Sequence, residues 1–172
     1  MKILVCNSSK RIDILLEELR RQTDIQLEKY EGCKYSPATA ITDDKGVARI
    51  VFYGELKLDA FLESVKIFQK GNYQVSDRIL DFLDMIDREV NIKVFTAQSC
   101  GWCFPAVIKA VSFAYLSEKI KVEVLDCYSF PELATSYNII TVPKTVINDR
   151  VEFIGSKDDN EFFGYIIKAV RE

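Results

Sequence analysis

The sequence predicts an α/β protein in which one small domain occurs twice in tandem, each copy with a mixed central sheet flanked by helices and the first copy abbreviated. An internal repeat supports this, because residues 37–41 (Pro-Ala-Thr-Ala-Ile) match residues 143–147 (Pro-Lys-Thr-Val-Ile). The apolar runs that follow, 49–54 and 150–155, share arginine, phenylalanine and glycine at identical offsets. A helical apolar pattern then begins in the same phase seven residues after each glycine. Agreement over three consecutive elements indicates two copies of one unit.

The second copy is predicted to follow the order β-α-β-α-β-β-α. Its longest helix is apolar around much of its circumference, which predicts that it is buried. Pro131 suits the first turn of the shorter helix, and an acidic start suits the last one. The predicted elements are the strand Ile92–Thr96, the helix Cys103–Glu118, the strand Lys121–Leu125, the helix Phe130–Tyr137, the strands Thr145–Asn148 and Arg150–Ile154, and a helix from about Asp158.

The first copy follows the same order in a shorter form. The spacing from Val5 to Ile25 is 20 residues, whereas the matching spacing in the second copy, 94 to 122, is 28. We therefore expect the first copy to have lost the turn that precedes its first helix and part of that helix. The predicted elements are the strand Lys2–Val5, the helix Arg11–Arg20, the strand Ile25–Lys29, a hairpin that starts at Pro37, and the helix Asp59–Phe68.

A helix is also predicted between the two copies. The chain breaks at Gly71-Asn72, and Ser76 then caps a helix over residues 76–89. One apolar stripe on this helix would let it either open the second domain or brace the two domains against each other. The predicted domains are residues 1–72 and residues 73–172.

Two cysteines separated by two residues, Cys100 and Cys103, follow the first strand of the second copy and open its long helix. At a helix N-terminus, unpaired backbone N–H groups and the positive end of the macrodipole favour a thiolate over a thiol. Such a sulfur, with a second sulfur one turn away, forms a dithiol that can be oxidised and reduced reversibly. The motif and its placement therefore predict a thiol–disulfide oxidoreductase.

Two other interpretations of this motif are weaker. A structural zinc site needs four ligands, but the chain has no histidine and its other cysteines are isolated in sequence, so we expect no metal. A permanent structural disulfide across two intervening residues would constrain the unfolded chain very little. The remaining cysteines are interpreted as small buried hydrophobic residues without a role in the mechanism: Cys6, Cys33 and Cys127.

Composition narrows the function classes further. The net charge of −3, with lysines and glutamates interspersed, leaves no basic stripe for nucleic acid. No apolar run has the length of a signal segment or a membrane span, so we expect a cytoplasmic protein, and the odd count of five cysteines argues against an oxidised framework. No nucleotide fingerprint is present, so we expect no bound cofactor and a partner protein that supplies electrons.

The strand, the CxxC motif and the helix, followed about 40 residues later by Thr141-Val142-Pro143 before a hairpin, resemble the thioredoxin fold. The tandem arrangement is similar to the glutaredoxin-like protein disulfide oxidoreductases of thermophilic archaea and bacteria. Members of that family usually carry a CxxC in both domains. Here Cys6 is followed three residues on by Ser9, so the resemblance implies a redox-silent first domain. The Gly-Trp dipeptide also differs from the Gly-Pro of thioredoxins and the Pro-Tyr of glutaredoxins.

The resemblance implies roles for the residues of the second copy. Cys100 would attack a substrate disulfide, and the more buried Cys103 would resolve the mixed disulfide. Pro143 would be cis and lie beside the sulfurs, where the backbone of Val142 could pair with an extended substrate segment. Gly101 and Trp102 would complete the substrate surface, with the Trp102 ring either exposed or folded back on the domain.

Proton transfer at Cys103 is less clearly assigned by the sequence. Thioredoxins carry a buried acid on the strand before the motif, but the matching residue here is Val94. We therefore expect Glu123, on the neighbouring strand, to be the base, with Asp126 as the second candidate. The competing interpretation is that both are ordinary solvated charges near a strand end.

Two further functions stay open beside general disulfide exchange. A silent and an active domain in tandem also resemble the N-terminal module of bacterial peroxiredoxin reductases. The protein would then be a dedicated carrier from a thioredoxin-reductase-like flavoprotein to a peroxiredoxin. Alternatively, it is a polypeptide-binding module whose dithiol is incidental.

Overall fold

Helices and strands alternate along the chain in the computed structural model, which describes residues 1–71 and 73–171. In order they are β1 (Lys2–Cys6), α1 (Lys10–Gln22), β2 (Gln26–Lys29), β3 (Ala38–Thr42), β4 (Ala48–Tyr53), α2 (Leu58–Lys70), α3 (Asp77–Asp84), β5 (Val90–Thr96), α4 (Cys103–Leu116), β6 (Ile120–Asp126), α5 (Pro131–Ser136), β7 (Lys144–Ile147), β8 (Val151–Ile154) and α6 (Asp159–Arg171).

The strands form one mixed sheet in the order β2-β1-β3-β4-β6-β5-β7-β8. Its two halves have the same internal pattern. β1 pairs parallel with β2 and antiparallel with β3, as β5 does with β6 and β7. A parallel pairing of β4 with β6, from Ile50 opposite Val122 to Tyr53 opposite Leu125, joins the halves. The predicted repeat is thus confirmed, and the two expected central sheets are one continuous sheet.

The repeat extends to the backbone of both hairpins. Pro37 and Pro143 each follow a cis peptide bond, which confirms the predicted geometry of Pro143. The N–H of Gly54 donates to the Pro37 carbonyl at 2.8 Å, and the N–H of Gly155 donates to the Pro143 carbonyl at 2.9 Å. Both glycines adopt a left-handed conformation, with φ of 87° and 83°, which explains why glycine occurs at the same offset twice.

The first half is shorter for a different reason from the one predicted. α1 has 13 residues and α4 has 14, so the expected loss of part of the helix is wrong. The turn before the helix is shorter, as expected, since it comprises residues 7–9 in the first half and 97–102 in the second. The main deletion lies between β2 and β3, where described residues 30–37 contain no helix, whereas α5 separates β6 from β7.

The two faces of the sheet are covered differently. The helix face packs against α2, α4 and α6 in one continuous core, and its strand residues include Ile3, Ile50, Phe52, Ile92, Val94, Val122, Val124 and Ile147. The loop face packs against α5 and against the loop between β2 and β3. Its buried residues are Cys6, Ala38, Tyr53, Phe95, Leu125 and Val146.

The helix between the copies is shorter than predicted. α2 ends at Gly71 in a left-handed conformation, as expected, whereas Asn72, the other residue of the predicted break, lies outside the described residues. α3 ends at Asp84 rather than near residue 89, and Ser76 occupies the N-cap position without a side-chain hydrogen bond. Within residues 1–71 and 73–171, no helix combines the length and apolarity that a membrane crossing requires.

Candidate active site

The turn between β5 and α4 places the two cysteines of the motif at a helix N-terminus. β5 ends at Thr96, and α4 begins at Cys103. The N–H of Cys100 donates to the Ala97 carbonyl at 3.1 Å, which closes the turn. Cys100 and Cys103 form a disulfide with their Cα atoms 5.4 Å apart. Cys100 is partly exposed and Cys103 is fully buried, so only one sulfur of the pair is accessible to another protein.

The loop before β7 brings a backbone acceptor to this pair. Cys100 Sγ lies 3.7 Å from the carbonyl oxygen of Val142, the residue before cis-Pro143. Pro143 is buried and Val142 is partly exposed, so the proline anchors the loop while the backbone of Val142 faces the turn. The structure thus brings Cys100, Val142 and Pro143 together as the sequence predicted.

Exposed apolar side chains surround the turn. Trp102 is 74% exposed, so its ring is not folded back on the domain. Tyr128, after β6, is 79% exposed, and Ile140, in the loop before Pro143, is 95% exposed. β5 and β6 are parallel neighbours, and therefore the loops that follow them lie at the same edge of the sheet. A Cβ at Gly101 would meet no atom within 4 Å, so this position is also open.

Glu123 is not brought to the cysteines. Its neighbours along β6, Val122 and Val124, point to the helix face, where α4 packs, and alternation therefore directs Glu123 to the loop face. There its carboxylate pairs with Lys34 at 3.3 Å and with the buried Lys93 at 3.8 Å. It is buried and paired on the face opposite to α4, so the structure instead supports a role in packing and charge pairing.

Asp126, the second candidate, is directed to the correct face by the same alternation. It lies opposite Thr96 at the end of β6 and is only 2% exposed. Oδ2 accepts hydrogen bonds from the backbone N–H and the hydroxyl of Ser129 at 2.8 and 2.6 Å. Oδ1 is buried and has no partner within residues 1–71 and 73–171. Oδ1 is thus an acceptor position that no described residue occupies.

The other cysteines differ from the sequence prediction. Cys6 and Cys33 form a disulfide between the end of β1 and the loop after β2, and only Cys6 is buried. Nothing in the sequence pattern signals this pairing, since 27 positions separate the two residues. Cys127 is a free thiol and is partly exposed rather than buried.

Cys127 offers a test of its surroundings through its pKa. Burial, and secondarily the negative charge of Asp126, raise the pKa of this thiol to about 11. We expect iodoacetamide to label Cys127 of the oxidised protein with a rate that rises about tenfold per pH unit between pH 8 and 10, because only the thiolate reacts. Peptide mass spectrometry gives the rate. In urea the labelling rate should stop rising near pH 9, where the thiol of an unfolded chain is ionised. If the rate in the native protein levels off at the same pH, the pKa of Cys127 is not raised.

The second half of the chain is similar in sequence to known proteins. The thioredoxin domain family matches residues 90–168. A "Probable Thioredoxin" of Methanothermobacter thermautotrophicus is 38% identical over 76 residues, 43% of this chain and 88% of that protein. A thioredoxin of Methanocaldococcus jannaschii is 36% identical over 70 residues, 40% of this chain and 81% of that protein.

Solved structures match nearly the whole chain. The NTD_N/C domain of alkylhydroperoxide reductase AhpF from Enterococcus faecalis superposes with a TM-score of 0.82 at 18% identity, covering 95% of this chain and 88% of that one. A protein disulfide oxidoreductase from Aeropyrum pernix superposes with a TM-score of 0.81 at 19% identity, covering 99% and 85%. At these identities the likeness concerns the fold, and it includes the tandem arrangement of both halves.

Proposed function

From the premise that this chain belongs to the thioredoxin family and is a thiol–disulfide oxidoreductase, we propose that Cys100 and Cys103 carry its reaction. One observation carries this proposal. The two residues form a disulfide at the N-terminus of α4 in which one sulfur is accessible and the other is buried. That asymmetry assigns a different step to each cysteine.

In the reductive direction, the Cys100 thiolate attacks one sulfur of a substrate disulfide and displaces the other as a thiolate, which takes up a proton. Cys103 then loses its proton and attacks Cys100 Sγ, so the substrate leaves as a thiol and the Cys100–Cys103 disulfide forms. Two electrons pass from the protein to the substrate. The reverse sequence inserts a disulfide into a substrate dithiol.

For the proton on Cys103, we favour Asp126 over Glu123. Asp126 lies on the helix face at the end of the strand beside β5, and its Oδ1 is unpartnered within the described residues. Glu123 lies on the other face, in ion pairs with two lysines.

For the substrate, we propose an extended polypeptide that lies across Cys100. The Val142 backbone, 3.7 Å from Cys100 Sγ at its carbonyl oxygen, would pair with the substrate main chain as an added strand does. Trp102 and Gly101 would flank that chain, and the exposed indole offers apolar contact area to a partly unfolded client.

The decisive experiment is the reduction of insulin disulfides in excess dithiothreitol. We expect the wild type to accelerate precipitation of the insulin B chain, and Cys100→Ser to fall to the uncatalysed rate, because serine cannot form the mixed disulfide. Cys127→Ser is the matched control and should retain wild-type activity. If Cys100→Ser stays as active as the wild type, the proposed site is wrong.

We also propose a cytoplasmic location, with a thioredoxin-reductase-like flavoprotein as electron donor and a peroxiredoxin as one candidate client. The fold shared with the AhpF domain supports the peroxiredoxin alternative. If the protein is instead mainly a polypeptide-binding module, Cys100→Ser would keep its affinity for an unfolded client.

We place the domain boundary between residues 72 and 73, supported by the end of α2 at Gly71 and by the contact of Phe82 in α3 with Phe163 in α6.

A further inference from the structure

The half of the protein without a CxxC has its own sulfur pair. Cys6 ends β1, and Cys33 lies in residues 30–37, which we call the tether loop. Their Cα atoms are 6.3 Å apart, within the range that a disulfide spans. Cys6 is 2% exposed, whereas Cys33 is partly exposed. One accessible and one buried sulfur is also the layout of Cys100 and Cys103.

The tether loop occupies the position that α5 occupies in the second half. Tyr30, Cys33 and Tyr35 pack against the loop face of the sheet, as Leu133 and Tyr137 do around α5. Because the first half has no helix between β2 and β3 in the described residues, the loop alone covers this part of the face. A loop without internal helical hydrogen bonds needs another means of staying in place.

The loop also reaches the second half. The Tyr35 ring lies 5.2 Å from the Tyr53 ring of β4 and 5.5 Å from the Phe130 ring that precedes α5. Lys34 pairs with Glu123 of β6 at 3.3 Å. The loop therefore bridges the two halves on the loop face, opposite to α2, α4 and α6.

The polar contacts that hold the loop to β1 and β6 are weak. The N–H of Tyr30 donates to the Val5 carbonyl at 3.1 Å, and the Asn7 amide donates to the exposed Ser36 hydroxyl at 3.0 Å. The Lys34 side chain is half exposed, so water screens its ion pair with Glu123. The disulfide is thus the strongest link between the tether loop and the sheet.

We propose that Cys6 and Cys33 are a second thiol–disulfide site, at which small dithiols and disulfides react with Cys33. The redox state of this pair decides whether the tether loop stays on the sheet. The two halves of the protein then carry two redox pairs, one between β1 and the tether loop and one at the start of α4. The expectation of a redox-silent first domain is replaced by a pair that lacks the CxxC spacing.

The exchange at this site balances with a dithiol as reductant. A thiolate of the dithiol attacks Cys33 Sγ, the bond to Cys6 Sγ breaks, and Cys6 leaves as a thiolate. The second thiol of the dithiol loses its proton and attacks the mixed disulfide, which releases Cys33 as a thiolate. The dithiol ends as a disulfide, two electrons have entered the protein, and both thiolates take up the protons that the dithiol lost. Oxidation is the reverse with a small disulfide as oxidant.

The test uses the full chain with Cys100→Ser and Cys103→Ser, so that its result is independent of the site in the second half. After treatment with oxidised glutathione, the protein is unfolded in urea without reductant and labelled with iodoacetamide. We expect Cys6 and Cys33 to be protected and Cys127 to be labelled, and all three to be labelled after dithiothreitol. Labelling of Cys6 and Cys33 in the oxidant-treated sample would overturn the proposal.

Hydrogen exchange tests the loop itself. We expect amides of residues 30–36 to exchange on the order of tenfold or more faster in the reduced protein, because the loop then opens locally. Adding Cys33→Ser should give the fast rate with or without oxidant, while adding Cys127→Ser should keep the redox dependence. Equal exchange in both redox states would show that the disulfide does not hold the loop.

Adduct formation identifies the accessible sulfur. In the Cys6→Ser variant, oxidised glutathione should modify Cys33. In the Cys33→Ser variant it should modify Cys6 about tenfold or more slowly, because a buried sulfur reacts only when its surroundings open. Equal rates would contradict attack at Cys33.

Discussion

We expect Arg49→Met to lower the free energy of unfolding by about 3–5 kcal/mol, because it removes the buried partner of the Asp43 carboxylate, which lies 3.6 Å from Nη1, together with the donor to three carbonyls. Arg49 is 3% exposed and extends from β4 into the second half. Its Nη2 lies 2.7, 2.5 and 2.7 Å from the carbonyl oxygens of Ala114, Ser117 and Ile120, which share its two N–H groups. Methionine would fill much of the volume but leave these carbonyls without their donor.

The internal repeat supplies the control for this substitution. Arg150 occupies the matching position, is exposed, and donates to the Ala169 carbonyl at 3.5 Å. Arg150→Met should therefore cost less than about 1 kcal/mol, since exposed polar contacts contribute little. Urea titration followed by circular dichroism measures both variants. Equal effects would show that Arg49 does not link the halves in the way its contacts indicate.

We also expect Phe162→Ala to destabilise the protein by about 3–5 kcal/mol, the range for a large buried aromatic residue. Phe162 is 1% exposed, lies 5.3 Å from the ring of Phe113 in a stacked arrangement, and meets the ring of Phe153 edge-on at 5.4 Å. The first half repeats the edge-on pair with Phe61 and Phe52 at 5.6 Å. Phe61→Ala should be similarly damaging, as Phe61 is fully buried.

Phe162→Ala and Phe61→Ala, one in each half, together test whether the halves unfold as one unit. The β4–β6 pairing and the Arg49 hydrogen bonds connect the halves, and α2 packs on α4. We therefore expect a single transition in calorimetry, lowered by either substitution. Two transitions, each lowered by only one of the variants, would show that the domains unfold separately. Leu62→Ala, a change at a partly exposed position beside Phe61, serves as the mild control.

Local patterns predicted where the two cysteines of the motif lie. The placement of Cys100 and Cys103 at the start of a helix follows from a buried strand, a short turn and a helical apolar pattern, all of which are readable over about 20 residues. The tight second hairpin is another local feature, since Asn148 and Asp149 both adopt positive φ, a conformation that asparagine and aspartate tolerate in hairpin turns. Such features depend on backbone preferences that act within a few residues.

The predictions that the structure contradicts depend on contacts between distant parts of the chain. The prediction for Glu123 rests on its position in the neighbouring strand. However, a strand directs successive side chains to opposite faces, and α4 packs on only one of them. The prediction that Cys6 and Cys33 are hydrophobic residues is wrong because no spacing rule joins residues 27 positions apart. The length of α1 was underestimated because the deletion falls after β2 instead.

By itself, the sequence determined the repeat, the order of strands and helices, and the chemistry of the CxxC pair, since each depends on short-range periodicity and residue type. Tertiary structure alone decided which strands join the halves, that Arg49 caps carbonyls 65 to 71 positions away, and that Cys6 meets Cys33. The physical reason is that hydrogen bonds and sulfur bonds between distant residues depend on register and packing, which many chain positions set jointly.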